Sequence, residues 1–302
     1  MSQTLITSRD PKGLHATGLF EAVYNKSKLD EARAQRLNER GGELQDGIAK
    51  LIAELSQSKL SQSNQYANEE VRSSYTYPKE YKGPKPINDR VKAIAKIFGL
   101  DPSHALEFAK TLPELPNGAE GWFAIPSVDA LAAKHFPEVT DPIQKYCQAV
   151  QLVHTKIADS RSFYNYREGQ ITPAQLRVHA RTAHALDLIA ETQKGDILIV
   201  AAQLGMRHRG KSVRRAREVF VANEFGLGSL AVGSIVLTHP ERLVRWEELD
   251  MDCSGDEFSP GADGDFSLSP DFYFSGGEVE FDARFVGYPH DFFGSVSGFL
   301  SQ

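Results

Sequence analysis

A change of character at Gly195 limits most strongly what this chain can fold into. Downstream of it, Asp196-Ile197-Leu198-Ile199-Val200-Ala201 is a short, largely β-branched run, the pattern of a buried strand. After residue 250 helix signals fade. Phe272-Tyr273-Phe274, then Gly276-Gly277, then Val279 to Ala283 read as a β-hairpin whose two-residue glycine turn suits the positive φ of a primed turn. In its second arm Val279, Phe281 and Ala283 alternate with Glu280, Asp282 and Arg284, so one face is expected to be buried and the other wet.

Upstream of Gly195 the periodicity is helical. Leu44, Ile48, Leu51, Ile52 and Leu55 form one apolar stripe over Glu43–Ser56, and Lys28–Arg40 is rich in helix formers. Gly41-Gly42 weakens the join, which leaves a helical hairpin and a kinked helix equally open. Asp141-Pro142-Ile143-Gln144, Thr172-Pro173-Ala174-Gln175 and Thr238-His239-Pro240-Glu241 each combine a capping oxygen, a proline and a Gln or Glu. They predict helices near 142–158, 173–192 and 239–248. Ser212 is positioned to cap another through Val213, Ala216, Phe220 and Val221. The glycine-interrupted apolar stretch Phe225–Leu237 reads as a core helix, too short to span a bilayer.

The expected class is therefore α+β: a helical N-terminal part followed by a strand-rich C-terminal part containing a β-hairpin. Three regions are expected: 1–86, a helical arm with a polar, Tyr/Pro-rich linker; 87–194, helical; and 195–302, an α+β strand-rich region with helices near 212–248. Between Ser56 and Asn88 there is no periodicity, only Ser/Gln/Asn and then Tyr, Pro and Gly. Met1–His15 is polar, with Arg9, Asp10 and Lys12 where a secretory leader needs apolar residues, so no leader is expected. Cys147 and Cys253 are the only cysteines. They allow at most one disulfide, provide no CxxC pair, and fit a reducing, cytoplasmic setting.

Charge is segregated. Trp246 to Ala283 contains twelve acids and no Lys or Arg, so the formal net charge of −6 leaves +6 on the rest of the chain. The positive pole is Arg207, His208, Arg209, Lys211, Arg214, Arg215 and Arg217. Planar guanidinium groups suit phosphate, so this segment is the candidate polyanion site, with RNA or DNA as partner. The competing expectation is that these side chains pair with the acidic segment or form a solvated face. No complete RNP, KH, zinc-finger or P-loop signature accompanies them. Arg161-Ser162-Phe163-Tyr164-Asn165-Tyr166-Arg167 interleaves aromatics with arginine, which suits base stacking but equally a helix end with its rings in the core.

In the negative pole, Asp250, Asp252, Asp256, Glu257, Asp263 and Asp265 are candidate ligands for Ca²⁺ or Mg²⁺. Asp250 to Gly255 copies the opening of a calcium loop, but Gly261 stands where an EF-hand needs a bidentate Glu. The alternative is an acidic, solvating loop. Asp252 and Asp256 beside Cys253 oppose thiolate formation. His179, His184, His239 and His290 fit structural roles, and no carboxylate pair can be assigned as acid and base. Three readings follow: a binding protein that engages a polyanion, a structural or self-associating protein whose poles pair within or between chains, and a metal-assisted hydrolase.

Overall fold

The structure, a computed structural model, describes residues 17, 20, 23–56 and 64–301. The polar N-terminal stretch Met1–His15 lies outside them. Contacts divide the chain into two units, Met1–Ser61 and Gln62–Gln302. In the first, helix α1 (Glu31–Glu39) is capped by Asp30, whose side chain accepts the Arg33 N–H. Arg40 alone separates it from α2 (Gly41–Ser56).

The second unit is α+β. Its helices are α3 (Ile87–Phe98), α4 (Ser103–Phe108), α5 (Val128–His135), α6 (Pro142–Ser160), α7 (Ala180–Gln193), α8 (Val213–Val219) and α9 (Ser229–Thr238). Its strands are β1 (Gly121–Pro126), β2 (Phe163–Asn165), β3 (Leu176–Val178), β4 (Ile197–Gln203), β5 (Glu224–Gly226), β6 (Asp250–Asp252), β7 (Asp256–Phe258), β8 (Leu268–Ser275), β9 (Glu278–Phe285), β10 (Phe293–Ser295) and β11 (Ser297–Phe299). They form two sheets. One runs β1-β4-β11-β5, all antiparallel. The other has seven strands: β10-β6-β8-β7-β3, with β9 beside β8 and β2 beside β9.

The run after Gly195 becomes β4, buried along its whole length between β1 and β11. The hairpin forms as β8 and β9, with Gly276 and Gly277 both at positive φ. Val279, Phe281 and Ala283 are buried as the alternation requires, with Phe281 against His154 and Phe272. The opposite face is less wet than alternation implies, because Glu280 and Asp271 are buried there too.

Helix starts follow the capping chemistry unevenly. Asp141 caps α6, accepting the Gln144 N–H at 2.8 Å. Thr172–Gln175, expected to open a helix, instead forms a turn in which the Gln175 and Leu176 N–H groups donate to the Thr172 carbonyl. The chain then enters β3, and the helix starts later, at Ala180, behind His179. The expected helix at 239–248 reduces to a single 3-10 turn, Pro240–Arg242. There Arg242 is fully buried and donates to the carbonyls of Leu249 and Leu204. In the apolar stretch from Phe225, the first residues are strand β5 and the helix α9 begins only at Ser229.

Helix α9 is central and packs on α6, β1 and β8. Gly228 offers its N-terminus no side-chain cap, so the buried Asp256 carboxylate of β7 accepts the Ser229 N–H at 2.6 Å, where the helix dipole favours an anion. Val296 links β10 of one sheet to β11 of the other. Its N–H donates to Asp252 and its carbonyl accepts from Leu227. Both cysteines are buried and free. Among the described residues no helix is long and apolar enough to cross a membrane.

Candidate anion-binding pocket

Ser212 caps α8 by accepting the Arg215 N–H at 3.1 Å, and Val213 and Ala216 turn inward. The arginines therefore fan out from a short helix pinned to the body. Residues 64–86, which precede α3, run beside them in irregular backbone and bridge to the segment at Glu70 and Lys211. That approach supplies carboxylates. Glu69 accepts from Arg214 Nε at 2.8 Å and from Ser212 Oγ at 2.7 Å. The Arg214 bond holds the Glu69 carboxyl below its usual range. Arg215 is buried and donates to Glu70 at 2.5 Å and Glu218 at 2.8 Å. Lys211 lies 3.9 Å from Glu70.

The start of the segment is engaged differently. Glu224 of β5, fully buried, accepts from Ser297 Oγ at 2.6 Å and meets the His208 ring at 2.7 Å and Arg207 Nε at 3.3 Å. Burial opposes the charge of Glu224, but His208, Ser297 and Arg207 outweigh it and hold the carboxyl below its usual range. Burial also pushes the His208 pKa down, so the neutral ring donates from Nε2 and leaves a buried Nδ1 without a partner. Arg209 donates to the Tyr75 carbonyl at 2.9 Å. Every arginine named so far in the segment thus has a protein acceptor, and the pairing acids come from residues 69–70 and 218–224 rather than from the acidic pole.

Arg217 differs. It reaches the acidic segment, yet its Nε and Nη2 donate to the backbone carbonyls of Ser254 at 2.9 Å and Asp256 at 2.6 Å. Arg181, in the first turn of α7, does the same with the carbonyls of Val221 and Ala222. Among the described residues neither guanidinium forms an ion pair. Asp256, Glu257 and Glu224 act on them only at longer range. A carbonyl satisfies a donor without cancelling its charge, so both arginines keep a full positive charge.

Both line one pocket of about 370 Å³, together with Tyr66, His179, Arg214 and Phe220. Backbone of Gly226 and Ser254 completes the wall, and a Cβ on Gly226 would collide with the Ser254 carbonyl. His179 is the N-cap of α7: its Nδ1 accepts the Arg181 N–H at 3.3 Å, which leaves the ring proton on Nε2. Burial and the neighbouring Arg217 lower its pKa. Glu218, also at the pocket, is committed to Arg215 and to the N–H groups of Gln65 and Tyr66. The sequence singled out Arg214 and Arg217 but not Tyr66, Arg181 or Phe220, and it treated His179 as an ordinary helix residue. These positions converge from three distant stretches, and no local motif links them.

The acids of the negative pole are scattered. Asp256 accepts from Tyr146 at 2.7 Å and from Ser229, and burial raises its pKa to about 6. Glu257 pairs with Arg177 at 2.8 Å on the other face of β7. Asp263 and Asp265 sit in an exposed turn closed by the Asp265 N–H on Asp263. Asp250 and Asp252 are buried in β6, where Asp252 lies directly across from Asp271. Among the described residues no group of three or more His, Cys, Asp or Glu is arranged to hold a metal ion.

In the arginine–aromatic stretch, Arg161 donates to the carbonyls of Pro240 and Leu243, and Arg167 pairs with Asp282 at 2.7 Å. Phe163 packs on His154, while Tyr164 and Tyr166 are exposed. No family model matches the chain, and no match is found among curated proteins or solved structures.

Proposed function

We propose that this chain is a binding protein for a compact anion, held in the pocket between Arg181 and Arg217. One observation carries the reading: two guanidinium groups line one cavity and are held in place by backbone carbonyls, so they are oriented but not neutralised. Charge-assisted hydrogen bonds from such donors are the strong ones, and the N-terminus of α7 at the same wall adds favourable potential. The pocket narrows the polyanion expectation. RNA or DNA along the whole basic segment is less favoured, because Arg207, Arg214 and Arg215 already meet carboxylates. Among the described residues the acids of the negative pole are not grouped to hold a metal ion, so the metal-assisted reading has less support than the anion pocket. Two buried free thiols fit a reducing compartment such as the cytoplasm.

Calorimetric titration with pyrophosphate, citrate and AMP tests this reading. At least one should bind, more weakly as salt rises, and Arg181→Ala should weaken it at least tenfold while the melting temperature barely moves. If none binds at millimolar concentration, or if Arg181→Ala leaves binding intact, the reading fails.

A second reading has its own support. The pairing of Glu69 and Glu70 with Arg214 and Arg215 makes the basic segment a clasp that closes residues 64–86 onto the body. In that structural role the segment engages nothing outside the molecule. Melting that is salt-sensitive, with no anion affinity, distinguishes it.

A further inference from the structure

We infer that the anion taken by this pocket is aromatic, a planar ring system carrying one phosphate, of the size of a nucleoside monophosphate. This rests on the proposed anion-binding reading and specifies its ligand.

The lining combines two chemistries. Arg181 and Arg217 provide fixed donors, and Tyr66 and Phe220 provide ring surface. Arg214 meets both a ring and a carboxylate: its guanidinium lies 4.4 Å from the centre of the Tyr66 ring while its donors close on Glu69. Arg214 therefore stiffens the Tyr66 ring instead of offering a third charge. Phe220 is fixed in the same manner, with His208 at 5.0 Å edge-on behind it and Arg181 5.8 Å from its centre. Neither ring needs to move to meet a ligand.

Size and charge limit the guest in the same direction. A cavity of about 370 Å³ is at the small end of the range for ligand sites. A bare phosphate would leave most of that space, and both rings, unused. An oligonucleotide would need a cationic track leading away from the pocket, and Arg207, Arg214 and Arg215 already pair with carboxylates. One base with one phosphate fills the space, sets a ring on Tyr66 and brings two or three oxygens to the guanidinium groups. Base–aromatic stacking tolerates any base because each has a π-face, so the class is specified here and the base is not.

The test compares AMP, adenosine and inorganic phosphate on the full chain by calorimetry. AMP should bind at least tenfold more tightly than either fragment. Tyr66→Ala should remove that advantage yet leave phosphate binding unchanged, and Tyr66→Phe should retain it. The Glu218 contact at Tyr66 is to the backbone N–H, so neither variant breaks it. Phosphate binding as tightly as AMP, with both sensitive to Arg181→Ala, overturns the aromatic ligand and leaves the anion site standing. A 5′-phosphorylated trinucleotide that outcompetes AMP overturns the compact ligand. If phosphate, AMP and adenosine are all inert while the Tyr66→Phe protein melts normally, the inference fails; if pyrophosphate and citrate are inert as well, the reading beneath it fails too.

Discussion

The basic segment around α8 and the acidic segment from Trp246 to Ala283 face the same problem with opposite charges, and the fold treats them differently. An arginine cannot give up its proton in a protein, so each arginine of the first region is matched to an acceptor: a carboxylate for Arg207, Arg214 and Arg215, a carbonyl for Arg209 and Arg217. A carboxylate can take up a proton, and the second region uses that freedom. Asp252 and Asp271 stand directly opposite each other on neighbouring strands, a placement that repels when both are ionised. Burial first, and then that repulsion, pushes Asp252 up to about 8. Burial pushes Asp271 up to about 7 despite Arg284 at 3.1 Å. The formal −12 of the acidic stretch is therefore softened in the folded state, while the positive pole keeps its charge, in ion pairs at Arg207, Arg214 and Arg215 and on carbonyls at Arg209 and Arg217.

The sharpest way to break this contrast is to remove a cation that buried partners depend on. Arg215→Ala takes the guanidinium from Glu70 and from Glu218, whose side chain is 6 % exposed and which keeps the N–H groups of Gln65 and Tyr66. Losing one partner of a buried pair costs roughly 3 kcal/mol or more. Denaturant unfolding should show that loss, with residues 64–86 becoming protease-sensitive first.

The pH profile should be steered by the acidic region. For a carboxyl whose folded pKa is raised, stability is complete below the unfolded value near 4 and is lost as pH climbs through the folded value. His154, held at about 3, and His239, held at about 4, act in the opposite direction. Burial depresses both, so their contribution is present above the unfolded value near 6.5 and is lost as pH falls. The two trends oppose each other below about 6.5, and above it only the acids titrate until the thiols begin near 8.5. Melting temperature should therefore peak near pH 6.5 and decline from there to about 8.5, with stability falling by roughly 2 kcal/mol at most per titrating group. Asp252→Asn should flatten that alkaline limb. A profile that is flat over this interval in the parent chain would contradict protonation as the neutralising device.

Some of this arrangement was legible in the residues, and the rest was not, for a physical reason. The hairpin, the β4 strand and the α6 cap depend on neighbours in sequence, and they formed. Thr172–Gln175 failed as a helix start because a turn uses the same Thr carbonyl and Gln N–H. The true cap was missed because an imidazole nitrogen is not among the usual capping oxygens. The pairing of Arg214 with Glu69 spans 145 residues, and the pocket draws on Tyr66, Arg181 and Arg217. Charge counting showed that a positive pole exists but could not show which acids reach it.

Ser212→Ala should have a smaller effect. It removes the cap of α8 and a hydroxyl that donates to Glu69. A lost cap costs about 1 kcal/mol, so a fall of roughly that size in unfolding free energy is expected.

The smallest effect should come from Arg177→Ala. Arg177 pairs with Glu257 at 2.8 Å, nominally as good an ion pair as the Arg215–Glu218 contact at the same distance. The surroundings differ. The Arg177 side chain is 48 % exposed, against 10 % for Arg215, and water screens an exposed pair. Such pairs contribute under about 1 kcal/mol and fade with salt, although Arg177 also covers the Phe266 ring at 3.8 Å. Comparing Arg177→Ala and Arg215→Ala in 0.05 and 0.5 M NaCl separates burial from distance. The Arg177 effect should be below about 0.5 kcal/mol and vanish in high salt, while the Arg215 effect persists. Equal effects would mean that proximity alone, and not the exclusion of water, sets the strength of these pairs.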